Sequence, residues 1–367
     1  MPTRLDILSD SPRNAETRLA ALAAPITPVD SFYVRSNFPT PRTDPDTFEL
    51  EVAVAGETRR YALDRLRDLG PTLDRTVTLE CAGNGRTLLD PLPDGTPWTL
   101  GATGTATFTG IPLSAVLPPD LGDAVELLFT GADRGSQQGW GEIPFQRSLP
   151  VGVLGSATDG GTRAAAPPML AWAMNGAPLS PEHGAPLRLV VPGWYAVASV
   201  KWLTRVEALD APFEGYFQTD RYRYLRPDGS ITPVTRMRVR GLLLGVGDSL
   251  VDEDEVGGST GGRLRATAGP TTLHGIAWSG HGPITGVAVS IDGGASWREA
   301  KVGPLPGDAG HHAIRVPWSL DVDLGAGVHE VVVRARDASG REQPAHPFEN
   351  SLGYGNNVVH RVPVHVE

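Results

Sequence analysis

The chain has 367 residues, 40% hydrophobic and 20% charged, an ordinary globular composition at a length that one core rarely serves, so two domains are expected. A formal net charge of −10 argues against nucleic acid as the main partner. The single cysteine excludes an internal disulfide, a cysteine-based zinc site, an iron–sulfur cluster and a Cys-x-x-Cys-His haem attachment, so any haem partner belongs to another chain.

No run approaches the length of a membrane-spanning helix. The start, Met1-Pro2-Thr3-Arg4-Leu5-Asp6, lacks an apolar signal region, so a cytoplasmic location is expected, or a periplasmic one if a leader has been removed. Residues 1–30 read as a polar, Ala-rich lead-in, with a short helix over Ala15–Ala24 ended by Pro25. Residues 31–228 read as a first domain of strands and turns. Thr47–Gly56 alternates, with Phe48, Leu50, Val52 and Val54 on one face, and Tyr61–Leu69 has helical spacing. Val77 and Leu79 lie among threonines in a short strand that Gly83-Asn84-Gly85 breaks. Such a turn can take positive φ and gather backbone N–H groups into an anion cradle, and Arg86 adds a planar cation. Cys81 beside it is expected to ionise easily and to suit a soft metal, although a lone cysteine is by default a small buried hydrophobe.

Farther along, Trp98–Val116 reads as strand, glycine turn and a short helix begun by Pro112, and Ala124–Phe129 as a buried strand ending at Gly131-Ala132-Asp133. Gly135–Gly141 reads as a mobile loop and Asp159–Pro168 as a surface insertion. Leu187–Val191 and Val197–Val206 give two apolar strands. Composition shifts between Phe213 and Thr235, where Arg221-Tyr222-Arg223-Tyr224-Leu225-Arg226-Pro227 reads as an interdomain crossover, a packed or solvated linker rather than a nucleic-acid contact. Residues 229–367 read as all β, with about seven short strands and a hairpin at Asp292-Gly293-Gly294, which suggests an immunoglobulin-like sandwich.

Several separated motifs share one resemblance. Cys81-Ala82-Gly83-Asn84-Gly85-Arg86, Phe32-Tyr33-Val34-Arg35 before Pro39-Thr40-Pro41, and Phe129-Thr130-Gly131-Ala132-Asp133 occur in order. They are followed by Met174-Asn175-Gly176-Ala177-Pro178-Leu179, His183-Gly184-Ala185-Pro186-Leu187-Arg188, and Val191-Pro192-Gly193 through Ser199-Val200-Lys201-Trp202-Leu203. Together they resemble the sulfite oxidase family of mononuclear molybdopterin-dependent oxidoreductases, from about Phe32 to the C-terminus. The resemblance implies an α+β molybdopterin-binding domain followed by an immunoglobulin-like domain commonly used for homodimerisation. It implies molybdenum held by one pterin dithiolene and by Cys81, with no haem in this chain and a separate electron partner. Arg35 and Arg86 then bind substrate. His183, Arg188, Ser199 and Lys201 match donors to the pterin tail phosphate, and Asp133 matches a carboxylate on the pterin. Oxidation of sulfite to sulfate is the leading activity.

Three departures concern the substrate. Phe145 begins Phe-Gln-Arg-Ser-Leu-Pro where the family's sulfite-oxidising members are expected to carry Tyr-x-x-Ser-x-Pro, and Arg147 is expected to compensate for the lost hydroxyl. His281, in Ser279-Gly280-His281-Gly282-Pro283, is expected to stand in for an absent third arginine, and Asn37 replaces a histidine. Reduction of a sulfoxide such as methionine sulfoxide is therefore the second activity weighed, and a non-catalytic two-domain binding protein the third. Gly247-Asp248-Ser249-Leu250 with Asp308-Ala309-Gly310-His311 superficially resembles a lipase pattern, but it lies inside an expected sandwich rather than at a strand-to-helix turn. His311-His312 lacks partner ligands at useful spacing.

Overall fold

Alternating apolar residues build the sheet that frames the first domain. In the strand Glu49–Val54, Leu50, Val52 and Val54 are buried while Glu49 faces solvent. This strand pairs antiparallel with Glu57–Ala62 and parallel with Leu203–Leu209, and the sheet continues through Glu126–Gln137 and Gly141–Pro150. The helix Leu63–Asp68 follows, with Leu66 buried as its spacing predicts. The computed structural model describes residues 5–155, 166–226, 228–251, 264–305, 313–348 and 350–367. Residues 159–165 of the expected insertion, the acidic run Asp252–Glu255, Asp308, His311 and His312 lie outside them.

A second sheet carries the cysteine. Its order is Ala177–Pro178, Met169–Met174, Thr103–Pro112 and Leu73–Glu80, and Arg188–Val190 also pairs with Met169–Met174. Facing threonines bond across the last two strands, Thr76 to Thr107 at 2.8 Å and Thr78 to Thr105 at 2.6 Å. The strand's final residues, Val77 to Glu80, are all buried, so Cys81 emerges inside the protein.

Three local expectations need correction. Ala15–Ala24 is not one helix: Arg13–Thr17 is a strand between Leu5–Asp10 and Val34–Arg35, and Leu19–Ala23 forms a 3-10 turn. The Thr17 N–H donates to the Gly101 carbonyl at 3.0 Å, so tertiary pairing overrides local propensity. Gly135–Gly141 is a loop only at its tip: residues 138–140 turn, while Gly135 pairs with Ile143 and Gln137 with Gly141 in a long hairpin. Val197–Val206 splits into a 3-10 turn at Ala196–Ala198 and a strand from Leu203, with Trp202 at φ 50° between them.

The second domain has two five-stranded sheets. One runs Ser249–Leu250, Arg240–Val246, Gly269–Trp278, Val316–Leu324 and Lys301–Val302; the other runs Leu264–Ala266, His360–Val366, Gly327–Asp337, Ile284–Ser290 and Arg298–Glu299. The Asp292-Gly293-Gly294 hairpin forms as expected, with Gly293 and Gly294 at φ 74° and 103°. The short hairpin Arg223–Leu225 with Ile231–Pro233 joins the domains. Ser249 sits in another hairpin, not at a strand-to-helix turn, which removes the lipase reading.

Candidate active site

The cysteine loop is held from both sides. Within the first domain the Cys81 N–H donates to Ala102 at 2.9 Å, and Asn84 bridges Glu80 and the Ala102 N–H. From the second domain, the Gly355 N–H reaches the Ala82 carbonyl at 2.7 Å, Asn356 the Gly85 carbonyl at 2.7 Å, and Arg240 the Asn84 carbonyl at 3.2 Å. The loop is not the anion cradle expected from its glycines: the N–H groups of Asn84, Gly85 and Arg86 donate to Cys81, Thr99 and Gly83 carbonyls. Nor does Cys81 ionise easily. Burial pushes its thiol up, against the pull of Arg35, the Gly83 N–H and Arg86.

Two pockets meet at Cys81. The inner one has an empty volume of about 680 Å³ and brings His183, Arg188, Ser199, Lys201 and Asp133 together with Arg35, Asn37 and Phe145. The His-x-x-x-x-Arg spacing closes a turn in which Arg188 donates to the His183 carbonyl at 2.9 Å. Burial, with Lys201 and Arg188 nearby, pushes His183 down to about 3, so its ring is neutral. Lys201 donates to Ser36 at 3.1 Å and to the Glu182 carbonyl at 2.8 Å; burial and Arg188 push it down to about 7 while Asp133 pulls it up. Burial pushes Asp133 up to about 6. Gly131 explains the motif before it, since a Cβ there would lie 2.5 Å from Asp133 Oδ1.

The outer pocket, of about 770 Å³, is lined by Arg35, Arg86, Arg221, Tyr222, Tyr354 and Trp98 among others. Arg35 donates to Asn14 at 3.0 Å, Asn37 at 2.6 Å and the Tyr222 hydroxyl at 3.2 Å; that hydroxyl donates to Asn37 at 3.1 Å. Arg86 donates to the Thr96 and Leu352 carbonyls and lies over the Tyr354 ring at 5.2 Å. Tyr222, at φ 52°, stacks on Tyr354 with centroids 5.1 Å apart.

Two expected site residues are elsewhere. Arg147 is fully buried and clamps the Phe217 and Val234 carbonyls, so it lines neither pocket and cannot replace a hydroxyl. His281 lines a separate second-domain pocket with Arg238, Arg341 and His346. Phe145 packs on Phe217 at 4.7 Å at the inner pocket's edge. Tyr222 and Arg221, both on the crossover, bring a hydroxyl and a further arginine to the outer pocket.

Residues 37–217 match the oxidoreductase molybdopterin binding domain, and residues 259–367 match the Mo-co oxidoreductase dimerisation domain. The chain is 31% identical to the sulfite oxidase of Gallus gallus, over 97% of this chain and 77% of that protein. This chain belongs to the sulfite oxidase family. Against the mitochondrial sulfite oxidase of Homo sapiens it is 32% identical over 99% of its own length, and it spans 66% of that relative. The solved structure of the sulfane dehydrogenase SoxCD from Paracoccus pantotrophus matches with a TM-score of 0.77 at 26% identity, covering 100% of this chain and 90% of that one.

As a member of the sulfite oxidase family the protein is a molybdopterin oxidoreductase, not a binding module, and its domains follow the expected order. The inner pocket fits the family's cofactor chemically. Buried Arg188 Nε and Asp133 Oδ1 have no hydrogen-bond partner among the described residues, leaving a donor for a phosphate oxygen and an acceptor for a pterin N–H. Glu182, the other carboxylate lining this pocket, is turned to Arg13 at 3.1 Å. Among the described residues there is no cluster of three or more His, Cys, Asp or Glu that could hold a metal by itself. No helix among them is long and apolar enough to cross a membrane.

Proposed function

We propose that this protein oxidises sulfite to sulfate and passes the two electrons to a separate acceptor. One observation carries the reading: Arg35, Arg86 and Arg221 line one pocket beside Cys81, and none is ion-paired among the described residues of a chain with net charge −10. Three unpaired guanidiniums next to a buried thiol suit a doubly charged substrate and product. A neutral sulfoxide gains little from them, which puts sulfoxide reduction second.

When bound, the molybdenum pterin supplies two-electron oxygen-atom transfer. Cys81 would hold the metal, giving up its proton as it does so. His183, Arg188, Ser199 and Lys201 would hold the tail phosphate, and Asp133 the pterin ring. Asn37 accepts from both Arg35 and the Tyr222 hydroxyl and so fixes the two together at the boundary of the two pockets, which holds Arg35 beside the substrate. Homodimerisation through the second domain and a cytoplasmic location complete the proposal.

Metal and pterin analysis of protein from a molybdenum-replete host tests the class, and paired assays test the direction. Turnover of sulfite with an artificial acceptor, exceeding turnover of methionine sulfoxide with a reduced dye, is expected. Sulfoxide turnover alone would reverse the assignment.

A further inference from the structure

We infer that Arg221 is the side chain that grips the substrate oxyanion directly and sets the outer pocket's preference for doubly charged sulfur oxyanions. This rests on the sulfite reading above. A guanidinium has five N–H donors, four of them on its two terminal nitrogens. Arg35 has spent those four: Nη1 faces Asn14 Oδ1 and the Ser36 carbonyl, and Nη2 faces Asn37 Oδ1 and the Tyr222 hydroxyl. Arg86 has committed one donor of each terminal nitrogen, to Thr96 and Leu352. Arg221 differs. Its Nε donates to the Tyr216 hydroxyl at 3.1 Å, and neither terminal nitrogen has a hydrogen bond or an ion pair among the described residues.

That single anchor orients the fork and leaves its flat, two-pronged edge open to the pocket it lines. Arg35 therefore supplies charge and shape, Arg86 keeps one donor on each terminal nitrogen, and Arg221, with both terminal nitrogens uncommitted, can form two parallel N–H···O bonds to one anion. Its position is also set. The Arg221 N–H donates to the Tyr216 carbonyl at 2.9 Å, and Tyr222 next to it is locked by its stack on Tyr354. Arg221 is half-buried, so an oxyanion bound there is partly desolvated and the contact keeps its strength in salt better than a surface pair.

The test uses holoenzyme with Arg221→Gln and Arg221→Lys. Calorimetry with inorganic sulfate measures anion binding without turnover, and steady-state kinetics follow sulfite and a neutral sulfoxide. Losing a charge-assisted pair should weaken sulfate binding in Arg221→Gln by roughly 10- to 100-fold. KM for sulfite should rise in step with kcat little changed, and KM for the sulfoxide should stay put. Arg221→Lys should recover part of the loss, because it keeps the charge without the fork. A sulfate Kd in Arg221→Gln within twofold of the parent, or a parent that binds no sulfate, overturns the inference. A parent that binds sulfate through Arg221 yet does not oxidise sulfite ends the sulfite reading alone.

Discussion

Arg86 is a cation held without a counter-ion among the described residues, by the shape of its surroundings. A Cβ at Gly83, Gly95 or Gly353 would come within 2.7, 3.2 and 3.1 Å of its guanidinium, so three glycines make room for it. Arg86→Gln keeps hydrogen-bonding capacity and removes the charge. It should raise KM for sulfite about 10-fold or more while barely moving KM for a neutral sulfoxide; equal changes would count against an anion-binding role. A second residue bears on pH. His360 is buried, its Nδ1 accepts the Leu243 N–H at 3.1 Å, and burial, with Arg240, pushes it down to about 3. Its folded value lies below its ordinary 6.5, so the unfolded chain takes a proton that the folded one refuses. Its stabilisation is complete above about 6.5 and is lost as pH falls toward 3, at up to about 1.4 kcal/mol per pH unit for one proton. Glu16, pushed up to about 7 by burial, acts in the opposite sense between 4.5 and 7. Urea unfolding from pH 7 to pH 4 should therefore show a shallower loss of stability in His360→Gln than in the parent. Parallel curves would refute the assignment.

At the scale of elements, strand spacing can demand glycine outright. Gly110 lies where the strand Thr103–Pro112 meets Met169–Met174, and a Cβ there would sit 1.9 Å from the Leu170 carbonyl oxygen. Gly110→Ala must push two central strands apart and should lower stability by about 2 kcal/mol or more, read as a drop in thermal midpoint. An unchanged midpoint would mean that the sheet shifts freely. The strands themselves were mostly legible, because alternation such as Phe48 to Val54 reports burial on one face. Gly135–Gly141 was not, since glycine and glutamine carry no alternation and the pairing is visible only against Gly141–Pro150. The site divides in the same way. Cys81, Asp133, His183, Arg188, Ser199 and Lys201 stand in contiguous motifs and do line the inner pocket. Tyr222 and Arg221 were visible only as part of a basic aromatic run, because what selects them is a left-handed turn at Tyr222 and a stack on Tyr354 from the other domain. Arg147 and His281 were misplaced for the complementary reason: a substitution in one motif says nothing of which distant elements line the pocket.

The whole molecule is organised around a seam, and the seam is charged. Glu80, the residue before Cys81, is completely buried and ion-paired with Arg240 of the second domain at 3.0 Å. It also accepts bonds from Trp278 at 3.0 Å and Asn84 at 3.0 Å, and Arg240 in turn holds the Asn84 carbonyl. Burial pushes the Glu80 carboxyl up, with Arg240 its main opposition, so the partners depend on each other. Arg315 extends the seam to the N-terminal segment through the Ala24 carbonyl at 2.6 Å and Thr27 at 3.1 Å. Removing one ion of such a pair leaves an uncompensated buried charge, so Arg240→Met should cost about 3–5 kcal/mol. Glu80→Gln leaves the Arg240 guanidinium uncompensated in turn, so it should also cost several kcal/mol, about 3–5, even though an amide oxygen can still accept from Trp278. If the pair acts as a unit, the double variant should be more stable than Arg240→Met alone, a coupling that a double-mutant cycle of thermal or urea unfolding would measure. The same variants bear on the cofactor, since Arg240 and Asn356 both grip the cysteine loop. Arg240→Met should purify with less molybdenum per chain, and the double variant should recover part of it. Additive stabilities with full metal content would mean that the second domain covers the loop without holding it.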